Sequence, residues 1–125
     1  MLTGKILWRV NTFEKFGLRE PDRLTVTVDG KALFVPMNFS KEKTGYGGWQ
    51  NHVYIVLDTA TGEKLAEIPR PGRPHNSWCG EAGQYMYLGG RSDQNLVVAD
   101  QKTYKVVKTI GPFNWPIRMF VTDPR

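Results

Sequence analysis

Short apolar runs alternate with turn signals along most of this chain, and residues 53–69 show the pattern most clearly. In the segment VYIVLDTATGEKLAEIP, an apolar run ends at Asp58, a Thr-Ala-Thr-Gly turn follows, and a second, alternating run begins at Lys64. Two such runs joined by a short glycine-containing turn are typical of an antiparallel hairpin. Helical periodicity extends over no useful length, so the sequence predicts an all-β protein.

The same hairpin recurs later in the chain. Residues 95–111, NLVVADQKTYKVVKTIG, align with the first copy at an offset of 42 residues, which carries Asp58 onto Asp100. A truncated third copy opens the chain and matches at Thr3, Gly4 and Leu7. Self-similarity at a fixed period of roughly 20–50 residues indicates a repeat architecture.

A second type of hairpin precedes each of the two full copies. Residues 24–28 alternate as a strand, Asp29 and Gly30 form a tight turn, and residues 32–35 form the next strand. The counterpart is residues 76–88, at an offset of 53. The first repeat therefore holds 11 extra residues, which fall within 37–51 and which we interpret as a loop insertion.

These hairpins give ten predicted strands: one at 6–10, four in each of two full units, and one at 117–122. Residues 53–57 are apolar at every position, which is typical of a sheet covered on both faces. Four-stranded antiparallel units of about 40 residues that stack face to face are the blades of a β-propeller. The fold class predicted is therefore all-β, with two complete blades and single strands of two partial blades.

The whole chain, 1–125, is predicted to be a single partial β-propeller domain. Residues 1–10 are the end of one blade, 11–69 a blade with the insertion, 70–111 a second blade, and 112–125 the first strand of the next. Propellers close with about four to eight blades. We therefore expect further blades in a longer protein, self-association, or an open arc, and we expect the isolated chain to oligomerise through its unpaired edges.

Composition and charge restrict the function only loosely. The chain has 17 Lys and Arg against 12 Asp and Glu, a net charge of +5 and a sequence pI near 9.5. Because the charges form no run and no nucleic-acid module, a nucleic-acid partner is not expected. No apolar run reaches the ~20 residues of a membrane-spanning helix. The single cysteine, Cys79, excludes an internal disulfide, and no signal peptide is visible at the N-terminus.

Segments of both repeats resemble a known family. Arg-Pro-His at 73–75, a turn near Gly83, a Tyr-Met-Tyr-Leu strand and the segment VYIVLDTATGEKLAEIP are similar to the YVTN-type repeat of seven-bladed, lactonase-like and cytochrome d1-like propellers. The resemblance covers nearly the whole chain and is closest in DTATGEKLAEIP. It suggests a bacterial protein that is periplasmic or secreted, since many members of this group are exported. Because no signal peptide is visible, either the export signal lies outside this chain or the protein is cytoplasmic.

Repeat alignment points to a candidate ligand site where the innermost strands begin. Arg23, Asn76 and Arg118 hold one equivalent position, and His75 adjoins it. Repeated polar side chains there would ring the mouth of the central channel, and the arginines would attract a small anion such as a carboxylate or phosphate. The alternative is structural: these side chains bond backbone carbonyls or pair with Asp22 and Glu20, and His75 anchors a loop.

Two further residues on the same side complete the candidate set. Trp49 lies in a glycine-flanked part of the insertion and could cover a ligand or the blade edge. His52 separates the insertion from the next strand and could enter the channel or end the loop. No nucleophile elbow, phosphate-binding loop or metal-ligand spacing is present, so no catalytic residue, metal or cofactor is predicted.

These observations favour a scaffold that binds a small anionic ligand or a protein partner. The alternative, which the family resemblance permits, is part of a lactonase-like or quinoprotein-type enzyme with an anionic ligand at the channel mouth. Enzymatic activity therefore stays open at the level of sequence.

Overall fold

Two antiparallel sheets form the body of the computed structural model, which describes residues 4–40, 53–69, 74–80, 82–90 and 95–113. One five-residue helix, α1 (Thr12–Phe16), precedes nine strands. The strands are β1 (Leu18–Pro21), β2 (Thr25–Val26), β3 (Ala32–Ser40), β4 (Val53–Asp58), β5 (Lys64–Pro69), β6 (Pro74–Cys79), β7 (Tyr85–Gly90), β8 (Leu96–Asp100) and β9 (Val106–Ile110).

Each sheet is four strand positions wide. In the first sheet, β5, β4 and β3 are neighbours, and β1 and β2 both pair with the far edge of β3, so they share the innermost position end to end. The second sheet runs β6, β7, β8, β9 in chain order. These are two blades of a partial β-propeller, and the predicted fold class is confirmed.

The repeat is preserved down to individual hydrogen bonds. Asp58 Oδ1 and Asp100 Oδ1 each accept two backbone N–H bonds in the turn that follows them. The donors are Ala60 and Thr61 at 2.8 and 2.9 Å, and Lys102 and Thr103, both at 2.8 Å. The bonds from Thr103 and Lys102 hold the pKa of the Asp100 carboxyl below its usual range. A break in strand register also recurs at the offset of 42, at Val56/Leu57 and at Val98/Ala99.

The main hydrophobic core lies between the two sheets. Because side chains alternate faces along a strand, every second residue of β3, β4, β7 and β8 enters it. Its buried members are Ala32, Phe34, Tyr54, Val56, Ile68, Met86, Leu88, Val97 and Ala99. The intervening residues of the first sheet, Val35, Met37, Ile55 and Leu57, form a second cluster with Leu18 on the opposite face. The first sheet is thus covered on both faces, as its uninterrupted apolar strand indicated.

Tyr104 joins this main core from a turn. It occupies the place of Gly62 in the repeat and has the same left-handed backbone, with φ 60° against 75°. Its ring packs edge-on against Phe34 of the first sheet, with centroids 6.2 Å apart. Burial raises the pKa of the Tyr104 phenol above its usual 10.0, and the charges of Asp29 and Asp58 add to this.

The raised pKa of Tyr104 predicts a loss of stability in alkali. A group whose pKa is raised by folding contributes stability that is present below its unfolded pKa and is lost as pH rises through the folded value. The free energy of unfolding should therefore fall above about pH 10, and by less in Tyr104→Phe. Urea unfolding of both proteins between pH 8 and 11 measures the difference. Parallel pH profiles would contradict the prediction.

The N-terminal region differs from its sequence prediction. Residues 6–10 form no strand, because no neighbouring strand is paired with them in the described structure. The predicted connection at 11–21 contains α1 and β1. Asn11 Oδ1 accepts from the N–H groups of Phe13 and Glu14 at 3.1 and 3.2 Å, which starts the helix, and Gly17 in the left-handed conformation ends it.

The predicted loop insertion at 37–51 is also corrected in part. Met37 and the residues to Ser40 extend β3 and pair with β1, in the register Leu18 with Ser40 and Pro21 with Met37. A strand this long needs a partner for its outer half, and β1 supplies it. The rest of the insertion and the strand predicted at 117–122 lie outside the described residues.

Candidate functional site

The candidate site lies where the innermost strands, β2 and β6, run side by side. Thr25 Oγ1 donates to the carbonyl of Ser77 at 2.8 Å, and Ser77 Oγ donates back to Thr25 Oγ1 at 2.7 Å. Ser77 is buried, so this reciprocal pair satisfies polar groups that water does not reach. The two inner strands are therefore joined by side-chain hydrogen bonds at this point.

His75 lies at the start of β6 and is only 6% exposed. Its Nδ1 is 2.8 Å from Asn76 Oδ1, within hydrogen-bond distance. Its Nε2 is 3.8 Å from Asp22 Oδ2, which is beyond hydrogen-bond distance but close enough for electrostatic attraction when the imidazole is charged. The histidine therefore bridges the second sheet to the segment before β2.

Asp22 also accepts a hydrogen bond from the backbone of its neighbour. The N–H of Arg23 donates to Asp22 Oδ1 at 2.9 Å, while the Arg23 side chain is exposed. Asn76 holds the equivalent place in the second sheet but is 3% exposed. The equivalence predicted from the repeat agrees with the register, since Thr25 pairs with Phe34 and Trp78 with Tyr87 at the same offset.

The structure thus brings His75 and Asn76 together, and Asp22 lies between His75 and the backbone N–H of Arg23. Three other predicted site residues, Arg118, Trp49 and His52, lie outside the described residues. The carboxylate of Asp22 was considered in the sequence only as a pairing partner for arginine. Its closeness to the histidine carried no sequence signal, because it depends on how the two sheets stack.

Two buried inter-sheet contacts were not predicted. The Tyr54 hydroxyl of β4 lies 2.9 Å from the carbonyl oxygen of Asn76 and 2.7 Å from that of Gly89, both in the second sheet. Gln101 Oε1 accepts from the N–H of Val28 at 3.0 Å. Both side chains reach across the interface, so they position the inner strands that form the site.

Gln101 is also fixed within its own sheet. Its Nε2 donates to the carbonyl of Tyr85 at 2.7 Å and lies 3.2 Å from Cys79 Sγ. The Gln101 side chain is 3% exposed, so its amide has exchanged water for these partners. Cys79 has a partly buried thiol that packs against the core.

The described ranges contain neither a cluster of metal-ligand side chains nor a membrane-spanning helix. There, no three His, Cys, Asp or Glu side chains come close enough to hold a metal ion. No helix of the described chain has the length and apolarity needed to cross a bilayer.

Comparison with known proteins supports the fold and leaves the family open. No protein-family model matches the chain, and no curated protein matches it. Among solved structures, hydrazine synthase of Kuenenia stuttgartiensis, a protein that contains a β-propeller, is similar with a TM-score of 0.62 and 23% identity. The match covers 82% of this chain and 26% of that one. The chain therefore spans about a quarter of its structural relative, and the likeness shows the fold alone.

Proposed function

We propose that this chain supplies blades of a YVTN-type β-propeller that acts as a binding scaffold. The observation that carries the proposal is the use of the inner-strand polar groups. Thr25, Ser77 and Asn76 bond to protein atoms across or within the sheets, and His75 is held between Asn76 and Asp22. These side chains hold the two blades together, which supports a structural role for the inner strands. The exposed residues at the starts of these strands would then bind the ligand.

The ligand proposed for this surface is a small anion, or an acidic group on a protein partner. Arg23 supplies an exposed guanidinium beside β2, and the repeat alignment adds Arg118, with Trp49 and His52 on the same side. Guanidinium groups bind carboxylates and phosphates through two parallel hydrogen bonds. The Asp22 carboxylate reduces the positive potential there, so we expect weak binding that depends on the arginines.

Calorimetric titration with inorganic phosphate and with citrate tests this site. Arg23→Gln should weaken binding about tenfold, the loss of one charge-assisted hydrogen bond of roughly 1.5 kcal/mol. Lys31→Gln is the matched control, since it removes one positive charge from an exposed residue at the opposite end of β3. Equal losses in both variants would indicate general charge attraction, and no binding by the parent protein would refute the anion site.

A lactonase-like or quinoprotein-type enzyme is the second candidate, and the Asp22–His75 pair favours it. A carboxylate beside a buried imidazole can orient a general base. In that case Asp22→Asn should abolish hydrolysis of a simple lactone by the parent protein while the fold is retained. A parent protein without turnover on lactones would favour the scaffold.

A further inference from the structure

The face of the first sheet that is turned away from the second sheet has an equivalent in the second sheet. That equivalent is the face on which the first sheet packs. In the second sheet, Met86, Leu88, Val97 and Ala99 pack against the first sheet. The residues at the same repeat positions in the first sheet are Leu33, Val35, Ile55 and Leu57, and all of them point to the opposite side from the main core. This face, which we call the leading face, therefore has the composition of a blade-stacking surface.

In this structure the N-terminal segment covers the leading face. Trp8, Val10, Phe16 and Leu18 pack in one cluster with Val35, Met37, Ile55 and Leu57. The Trp8 indole N–H donates to the carbonyl of Thr59 at 2.8 Å. Its ring lies over Gly62 so closely that a Cβ there would be 2.8 Å from ring carbons. Residues 8–18, the N-terminal cap, thus cover part of the face on which a neighbouring sheet would pack.

The polar attachments of the cap at its rim are weak. Lys15 Nζ is 3.3 Å from Glu63 Oε1, with both side chains exposed, and Lys64 Nζ lies 5.3 Å from the Phe16 ring centre. Exposed ion pairs of this kind contribute little. The Trp8 and Phe16 side chains therefore provide most of the attachment, and removing both of them should release the cap.

An apolar strip continues beyond the cap. Leu24 and Val26 are 54% and 44% exposed. Val26 pairs with Leu33 in the register of β2 and β3, so the two share the leading face. The cap therefore leaves uncovered the innermost part of a surface whose outer part it protects.

We propose that the leading face is a stacking surface for a second copy of this chain, and that the N-terminal cap holds it closed. The second copy is the fitting occupant because the far face of its second sheet repeats the surface that already packs in this interface. Tyr87 and Leu96 stand there at the positions of Phe34 and Tyr54. Such a contact is head-to-tail and continues the blade array from one chain to the next.

Sedimentation velocity of the full chain over a hundredfold range of concentration tests the proposal. The Trp8→Ala/Phe16→Ala variant should associate at a concentration at least tenfold lower than the parent protein. Adding Val26→Glu, a charge on the exposed strip, should reverse this. Adding Val106→Glu should not reverse the association. Val106 has nearly the same exposure, 47%, but it pairs with Ala99 and therefore lies on the face of the second sheet that is turned toward the first sheet.

The proposal is overturned if the double variant is folded by circular dichroism yet associates no more than the parent. It is also overturned if Val26→Glu and Val106→Glu have equal effects. If the double variant fails to fold, Gly62→Ala replaces it, because the added methyl group displaces the Trp8 ring without removing any apolar residue of the cap. The proposal is then overturned if folded Gly62→Ala associates no more than the parent, or if Val26→Glu and Val106→Glu affect its association equally.

Discussion

The Gln101→Ala variant is expected to lose about 2–4 kcal/mol of unfolding free energy, the cost of an unsatisfied backbone N–H, of a carbonyl with one hydrogen bond fewer and of a small cavity. Gln101 accepts from the N–H of Val28 in the first sheet and donates to the carbonyl of Tyr85 in the second. At 3% exposure, water does not replace these bonds. The shift of the urea midpoint at constant slope measures the loss.

Thr59→Ala is the matched control for Gln101. Thr59 holds the same repeat position in the first sheet, where its hydroxyl donates to the carbonyl of Gly30 at the surface. Because that bond is exposed, its removal should cost less than about 1 kcal/mol. If Thr59→Ala proved as damaging as Gln101→Ala, the inter-sheet bonds would not account for the stability.

Tyr54→Phe is expected to destabilise the protein by about 1–3 kcal/mol, because two buried carbonyls lose the one hydroxyl hydrogen that they share. The hydroxyl reaches from β4 to the carbonyls of Asn76 and Gly89, one on each of the two inner strands of the second sheet. The loss should therefore loosen the contact between sheets. Equilibrium unfolding gives its size, and amide exchange at Asn76 and Gly90 shows its location.

Tyr87→Phe provides the comparison for Tyr54. It removes the same hydroxyl from a half-buried ring of the second sheet, at the position where the first sheet has Phe34 and therefore no hydroxyl. We expect a change within about 0.5 kcal/mol. A loss as large as that of Tyr54→Phe would mean that the inter-sheet hydrogen bonds of Tyr54 do not explain its effect on stability.

Local chemistry explains why the repeated strands were predictable. The turn after β4 and the equivalent turn after β8 each need a carboxylate that accepts hydrogen bonds from two backbone N–H groups. Asp58 and Asp100 supply it at an offset of 42. Gly30 and Gly83 both have φ near 75°, which a tight turn requires, and they mark the second hairpin at an offset of 53. Signals of this kind lie within a few residues of the feature that they predict.

The errors arose where the outcome depends on a distant partner. Residues 6–10 have a strand-like pattern, but a strand forms only when another edge pairs with it, and Trp8 bonds to Thr59 instead. Residues 37–40 were interpreted as a loop because they exceed the repeat, yet β1 pairs with them. Both outcomes depend on contacts far apart in the chain.

For the candidate site, the sequence predicted His75, Asn76 and Arg23 but not the Asp22 carboxylate that lies beside two of them. Asp22 meets His75 only because β2 and β6 lie side by side, and the same stacking buries Asn76 while leaving Arg23 exposed. Burial and partner choice in this site are properties of the inter-sheet contact, which alternation along a strand does not encode.

The sequence alone determined the all-β character, the repeat period and the turn positions, because each of these is set by residues adjacent in the chain. Tertiary structure alone decided that residues 8–18 cover the leading face, that β1 completes the first sheet, and that Tyr54 and Gln101 join the two blades. Those outcomes depend on contacts between segments that are far apart in the chain, and such contacts form only when the whole chain packs.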